Sequence, residues 1–294
     1  MNNNLSKKAD IGCIFELFFF FGAVAVFVLP FVNVLAVSFS SAAPVMAGKV
    51  KFLPIGFNTE AWAKVFKNND LIRSFIFTVI LTAVVTLLQI LVLMLAAYPI
   101  SRKNLKGRRA IFIFFVIPMY FSGGLIPTYL LYQWIGLLNH PAVLILPGLF
   151  SVYSMLVLRT AFAAVPDSLE ESAKLDGAGD FSILFRIYFH LSLPTLATLS
   201  LWAAVGRWNG FMDAVFFLPN NQRYVPLQLL LQRVLGNITD SREVLSKEIS
   251  DTRVVVKETQ KAANLLFTVI PIILVYPWLQ RFFVKGVLIG SIKN

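Results

Sequence analysis

Glu170-Glu171-Ser172-Ala173-Lys174-Leu175-Asp176-Gly177-Ala178-Gly179-Asp180 is a polar, acid-bearing island with long apolar runs on either side. In so apolar a chain, such an island belongs at a membrane surface or in a protein interface. Asp167 can cap a helix whose third position is Glu170, and Glu170 and Lys174 form a helical i,i+4 pair. Gly177 suits the left-handed residue that closes a helix. Asp180 then reads as the cap of a second short helix running to about His190. The stretch predicts a helix-turn-helix, held as a knob between two membrane spans.

Composition sets the surroundings of that knob. Of 294 residues 57% are hydrophobic and 14% charged, with mean hydropathy +0.75; a soluble domain of this size would hold about 25% charged residues. The chain therefore reads as all-α, a polytopic transmembrane helical bundle in one domain, and it interacts with membrane lipid. Its net charge of +11 fits basic loops on an anionic cytoplasmic face. Nucleic acid is not expected, because the 28 Phe residues lie mostly in apolar runs and are not interleaved with Lys and Arg as a base-stacking surface requires. Cys13 is the single cysteine, so an intrachain disulfide is excluded, and His140 and His190 are too few and too far apart for a metal centre.

Six spans follow from the apolar runs, at about 11–39, 72–98, 111–131, 142–162, 192–218 and 262–283, with the knob in a loop at 166–191. Pro30 should kink the first span. The segment from Ser40 to Leu71 reads as external, with a helix starting at Asn58-Thr59-Glu60. Pro118, Gly123-Gly124 and Pro127 interrupt the third span, which should therefore face protein or a cavity. Asp240-Ser241-Arg242-Glu243 predicts a surface helix in the polar segment 220–261. Six spans place both termini on one side. The acid-free loop Ser101-Arg102-Lys103-Asn104-Leu105-Lys106-Gly107-Arg108-Arg109, with Lys7-Lys8 and Lys285 at the ends, puts that side and the knob in the cytoplasm.

Glu171-Ser172-Ala173-Lys174-Leu175-Asp176-Gly177-Ala178, followed by Phe185, Ile187 and Leu193-Pro194, resembles the EAA loop of permease subunits from ATP-binding-cassette (ABC) importers. Trp208-Asn209 with Phe211, Pro226-Leu227, Phe283-Val284-Lys285-Gly286 and Ile289-Gly290-Ser291 are similar to the maltose-type, complex-oligosaccharide branch of that family. Ser172 stands where Ala is usual and His190 where a Pro is common.

The resemblance implies a type I importer permease in a bacterial cytoplasmic (inner) membrane. It also implies a second homologous permease subunit as heterodimer partner, an ATPase subunit dimer that binds ATP and Mg, and an extracytoplasmic sugar-binding protein. The chain itself would hold no cofactor and catalyse nothing; it lacks a G-x-x-x-x-G-K-[ST] phosphate loop. Glu170, Glu171, Ala173, Asp176, Gly177 and Ala178 would couple to the ATPase, with Glu171 making a polar contact and the two alanines allowing close packing. Lys285, Gly286, Gly290 and Ser291 resemble tails that reach the ATPase interface, although a frayed basic terminus would read the same.

Arg207 lies roughly 22 Å along the fifth span from Ser192, where a lipid-facing charge costs about 2.5–3.5 kcal/mol, so it should point inward. Arg207, Trp208 and Asn209, with Gln89, Tyr120 and Asp213, are the candidate substrate path: a sugar wants hydrogen bonds and an aromatic face, and an Arg fork also suits the carboxylate of an acidic, uronate-containing oligosaccharide. The same residues suit a structural role, Arg207 pairing with Asp213 or with carbonyls. An ion-coupled secondary transporter is the alternative function, although one deep Arg and no clear repeat speak against it.

Overall fold

The computed structural model describes residues 3–220, 223–236 and 258–277, with side chains from residue 16 onward. Among them there is no strand. The chain divides into two compact units, residues 1–71 with 231–270 and residues 72–230 with 271–294.

In the first unit, α1 (Asn3–Ser38) continues through Pro30 as one helix, where the sequence predicts a kink. Its stretch Glu16–Ser38 is long and apolar enough to cross a membrane. The segment beyond it folds back on the helix end. Asn33 Nδ2 donates to the Val50 and Lys51 carbonyls, and Ile55 N–H donates to Ser40 Oγ. Phe39 stacks between Phe57 and Trp62. A short α2 (Ala42–Met46) is followed by α3 (Glu60–Lys67), whose first N–H donates to Asn58 Oδ1 at 2.7 Å. That is the expected start, with Asn58 satisfying one of the orphan amides of the first turn.

The second unit is built on α4 (Asn69–Ser101), whose first turn belongs to the first unit. Its C-terminal half carries Leu93, Met94 and Ala97, which share one buried cluster with Met155, Leu158 and Phe162 of α7 (Val152–Ala163) and Leu199 further along. Between them lies the third span, for which the sequence predicts interruptions at Pro118, Gly123-Gly124 and Pro127. α5 (Arg108–Tyr120) and α6 (Leu125–Trp134) meet at 115°, so 111–131 is two helices and not one. The break has a local cause: Phe121 is extended, Gly124 takes φ 82°, and Pro127 follows one turn later.

The predicted fourth span begins as two 3₁₀ turns, Pro141–Leu144 and Leu146–Leu149, bent 41° from α7. Each has a proline in its first two positions, where a missing N–H costs little. α8 (Asp167–Leu175) and α9 (Asp180–Leu191) form the knob, the latter with a wide π turn at Leu184–Tyr188. The chain then turns 86° at Ser192 into α10 (Leu193–Asn209), with Pro194 in its first turn.

Within the predicted fifth span, 192–218, the helix stops at Gly210, and a separate α11 (Met212–Phe217) follows. α12 (Leu227–Val234) starts with its Leu227 N–H on Thr78 Oγ1 of α4 at 2.8 Å. The final described helix, α13 (Glu258–Pro277), covers the beginning of the last predicted span. Among the described residues three helices are long and apolar enough to cross a membrane, or up to six spans if each bent pair counts once. The 240–243 helix start, the end of the 262–283 span, and Lys285, Gly286, Gly290 and Ser291 lie outside the described residues.

Candidate coupling knob and substrate path

The knob is built by the end of α8. Ala178 N–H donates to the Ala173 carbonyl and Gly177 N–H to that of Lys174, the paired bonds of a Schellman close. Gly177 takes φ 80°, which a side-chain-bearing residue adopts only with strain. Ala173 and Ala178, the two residues flanking that close, both pack on the core of the second unit.

Glu170 turns inward. Its carboxylate is buried and pairs with Arg102, at the exit of α4, and with Lys174 Nζ at 2.9 Å. Tyr188 Oη donates to Glu170 Oε2 at 2.9 Å and accepts from Arg102 Nη1 at 3.1 Å. The Arg102 guanidinium also lies over the Tyr98 ring, 5.1 Å from its centroid, and Tyr188 sits edge-on to both Tyr98 and Phe162. One buried carboxylate with three donors is fully engaged, and a chain of charge-assisted hydrogen bonds in low dielectric is stronger than its parts. The arrangement ties α8, α9 and the end of α4 together.

Two expected caps are replaced. Asp167 is the first helical residue, after an extended Pro166, and its carboxylate pairs with Lys103 Nζ at 2.7 Å instead of capping an amide. That ammonium holds the Asp167 carboxyl below its ordinary range, yet both groups are exposed and the pair adds little stability. Asp180 likewise begins α9 after an extended Gly179, with no side-chain cap.

The outer side of the knob is open. Glu171, Asp176 and Gly177 are exposed, and two large apolar residues stand in the open beside them, Leu175 at 89% and Phe181 at 71% of full exposure. Sequence reasoning did not single out these two, nor Arg102, Tyr98 and Tyr188. Leu175 and Phe181 carried a usable signal, since each is a large apolar residue flanking the polar turn.

The substrate-path candidates come apart. Arg207, at the end of α10, donates from Nη1 to the Leu144 carbonyl and from Nη2 to Asp213 Oδ2 at 3.2 Å. Trp208 is buried, edge-on to Phe75 of α4. Asn209 and Tyr120 are exposed, and Gln89 is half-buried on α4. The structure thus joins Arg207 to Asp213, with Trp208 and Asn209 directly after Arg207 in α10.

Gly210 makes this corner possible. A Cβ there would stand 2.6 Å from Arg207 Nη2 and 3.2 Å from the Gly206 carbonyl oxygen. Because the guanidinium is pinned on two sides, Gly210→Ala should cost about 1–3 kcal/mol through forced displacement. A fall in the melting temperature of the purified chain in detergent would show it; an unchanged melt would mean the corner yields freely.

Residues 69–289 match the family model described as binding-protein-dependent transport system inner membrane component. The chain is 36% identical to the polygalacturonan/rhamnogalacturonan transport system permease protein YtcP of Bacillus subtilis (strain 168), covering 91% of this chain and 93% of that one. It is 33% identical to protein LplC of the same organism, over 98% and 97% of the two chains. Among solved structures it resembles a bacterial ABC transporter involved in import of the acidic polysaccharide alginate, with TM-score 0.84, 28% identity, and 94% and 98% of the chains covered. The α8–α9 knob and the bent helices around it are those of a multi-pass membrane transport subunit, and the chain belongs to the inner-membrane permease family of binding-protein-dependent ABC importers.

Proposed function

We propose that the chain is one of two permease subunits in an ATP-driven importer of acidic oligosaccharides, and that the α8–α9 knob receives the stroke of a separate ATPase. The observation that carries the coupling role is the two-sided character of the α8–α9 knob. Its inner side is clamped through Glu170 to Arg102 and Tyr188, while Leu175 and Phe181 offer the outside an apolar surface with Glu171 beside it. A rigid inner joint transmits displacement, and an exposed apolar patch on a membrane protein's polar end fits a protein partner. Glu171 supplies the polar contact, and the ATP and Mg belong to the ATPase.

The substrate class is supported by the names of the relatives: polygalacturonan and alginate are both uronate polymers. A sugar-binding protein delivers the substrate on the outer face, and both termini lie in the cytoplasm with the knob. Membership of an ABC family weighs against the ion-coupled alternative.

Reconstitution tests the reading. The affinity-tagged chain, co-expressed with its neighbouring transport subunits, should purify with an ATPase and a second permease. Proteoliposomes of that complex should accumulate tri-galacturonate only with ATP inside the ATPase-facing compartment. Uptake that survives ATP depletion and collapses with an ionophore would overturn the proposal.

A further inference from the structure

Arg207 and Asp213 form an unequal pair. The guanidinium is fixed, with 9% of its side chain exposed, Nη1 on the Leu144 carbonyl, and Gly210 leaving room beneath it. The carboxylate is loose: 47% of the Asp213 side chain is exposed, and it meets Arg207 through a single contact of 3.2 Å. A full carboxylate fork would use two bonds of about 2.7–2.9 Å. Arg207 Nε is buried with no hydrogen-bond partner among the described residues. A cation built to bind a carboxylate is therefore held by a poor one, on a six-residue helix that begins just after the helix end at Gly210.

We propose that Asp213 is a resident stand-in for the substrate: it occupies Arg207 in the empty chain and is displaced by a uronate carboxylate during transport. The inference rests on the reading of the chain as an oligosaccharide permease, and adds the residues that choose among oligosaccharides. The exchange is nearly balanced for an acidic sugar, because one carboxylate replaces another on the buried cation while Asp213, already half in the open, is released to water. A neutral sugar cannot make that exchange. Hydroxyls in place of Asp213 leave a buried guanidinium without its counter-charge, a severe penalty compared with loss of an exposed pair. Aromatic faces stand close by, since Tyr129 and Tyr132 pack on Phe217 at the far end of α11.

The pair thus acts as a gate on charge. It admits a competing carboxylate and holds against an uncharged ligand.

The test uses the complete reconstituted complex, with tri-galacturonate and its neutral methyl ester as probes, and reads the ratio of kcat/KM for acid over ester. Asp213→Asn keeps an acceptor for Arg207 but weakens the competitor that either sugar must displace, and should raise kcat/KM about fivefold for acid and ester alike, so that the ester gains import the wild type withholds. Arg207→Lys keeps the charge and loses the fork, and should lower the ratio about tenfold. Melting curves of both variants in detergent accompany the kinetics, so that a folding defect, which depresses acid and ester together, is told apart from lost selection. Wild-type import of the acid, with kcat/KM values that Asp213→Asn leaves unchanged or a ratio that Arg207→Lys does not move, would overturn the exchange and leave the permease reading standing. Import of the ester alone, or of neither sugar with ATP turnover intact, would overturn the exchange and the acidic-substrate reading together.

Discussion

Glu170→Ala should unseat the knob, with a loss of about 3–5 kcal/mol, the cost of removing one partner from a buried ion pair. The size follows from what stays behind. Arg102, its side chain only 19% exposed, keeps its charge, and Tyr188 Oη loses its acceptor. Lys174, half-exposed on α8, can turn to water and contributes little to the loss. The measurement is thermal inactivation of the purified complex, read by size-exclusion after heating. Glu170→Gln, which keeps an acceptor for Tyr188, should lie between wild type and Ala. A Glu170→Ala complex that melts with wild type would mean that Arg102 and Tyr188 hold α8 and α9 to α4 without the carboxylate.

Leu175→Asp should produce the opposite pattern: an unchanged melt and a fall in ATP-driven uptake of at least about tenfold, equivalent to roughly 1.4 kcal/mol of lost docking. Leu175 touches little in its own chain, being 89% exposed, so the fold gives up nothing. The proposed ATPase groove, by contrast, would have to take in a carboxylate without a partner. Co-purification yield of the ATPase and uptake rate should fall together. Full uptake by Leu175→Asp would remove the docking role of this surface, whatever becomes of the rest of the transporter.

These two residues also mark how far the sequence could be read. Local rules reached what is local. The i,i+4 pair of Glu170 with Lys174 is present at 2.9 Å, and Gly177 takes the left-handed conformation that a helix close requires. Apolar runs of sufficient length identified the helical membrane class. What stayed hidden depends on groups brought together from far apart. Arg102 precedes Glu170 by 68 positions, so nothing in the helix of Glu170 shows that its carboxylate turns inward while that of Glu171 turns out.

Arg207 was legible as an inward charge, and Asp213 as one of its conceivable partners, but the Leu144 carbonyl, 63 residues away, leaves no trace in composition. Trp208 reads equally well as a sugar platform or as filler, and only the Phe75 ring against it shows what it meets. The breaks at Gly124 and Gly210 were half visible. Gly and Pro announce that a helix can stop, whereas the 115° turn is set by how the pieces pack.

The elbow between α5 and α6 leaves Phe121, Ser122, Gly123 and Gly124 exposed as non-helical backbone. Hydrocarbon offers amides no hydrogen bonds, so irregular backbone survives at membrane depth only under protein or water. Gly124 has local partners, its N–H on Ser122 Oγ at 3.2 Å and its carbonyl accepting from the Thr128 hydroxyl at 2.8 Å, so at such a depth the cost would fall on Ser122 and Gly123 until a neighbour covers them. Co-expression with a subunit that covers the elbow should therefore raise the yield of folded chain over expression of the chain alone.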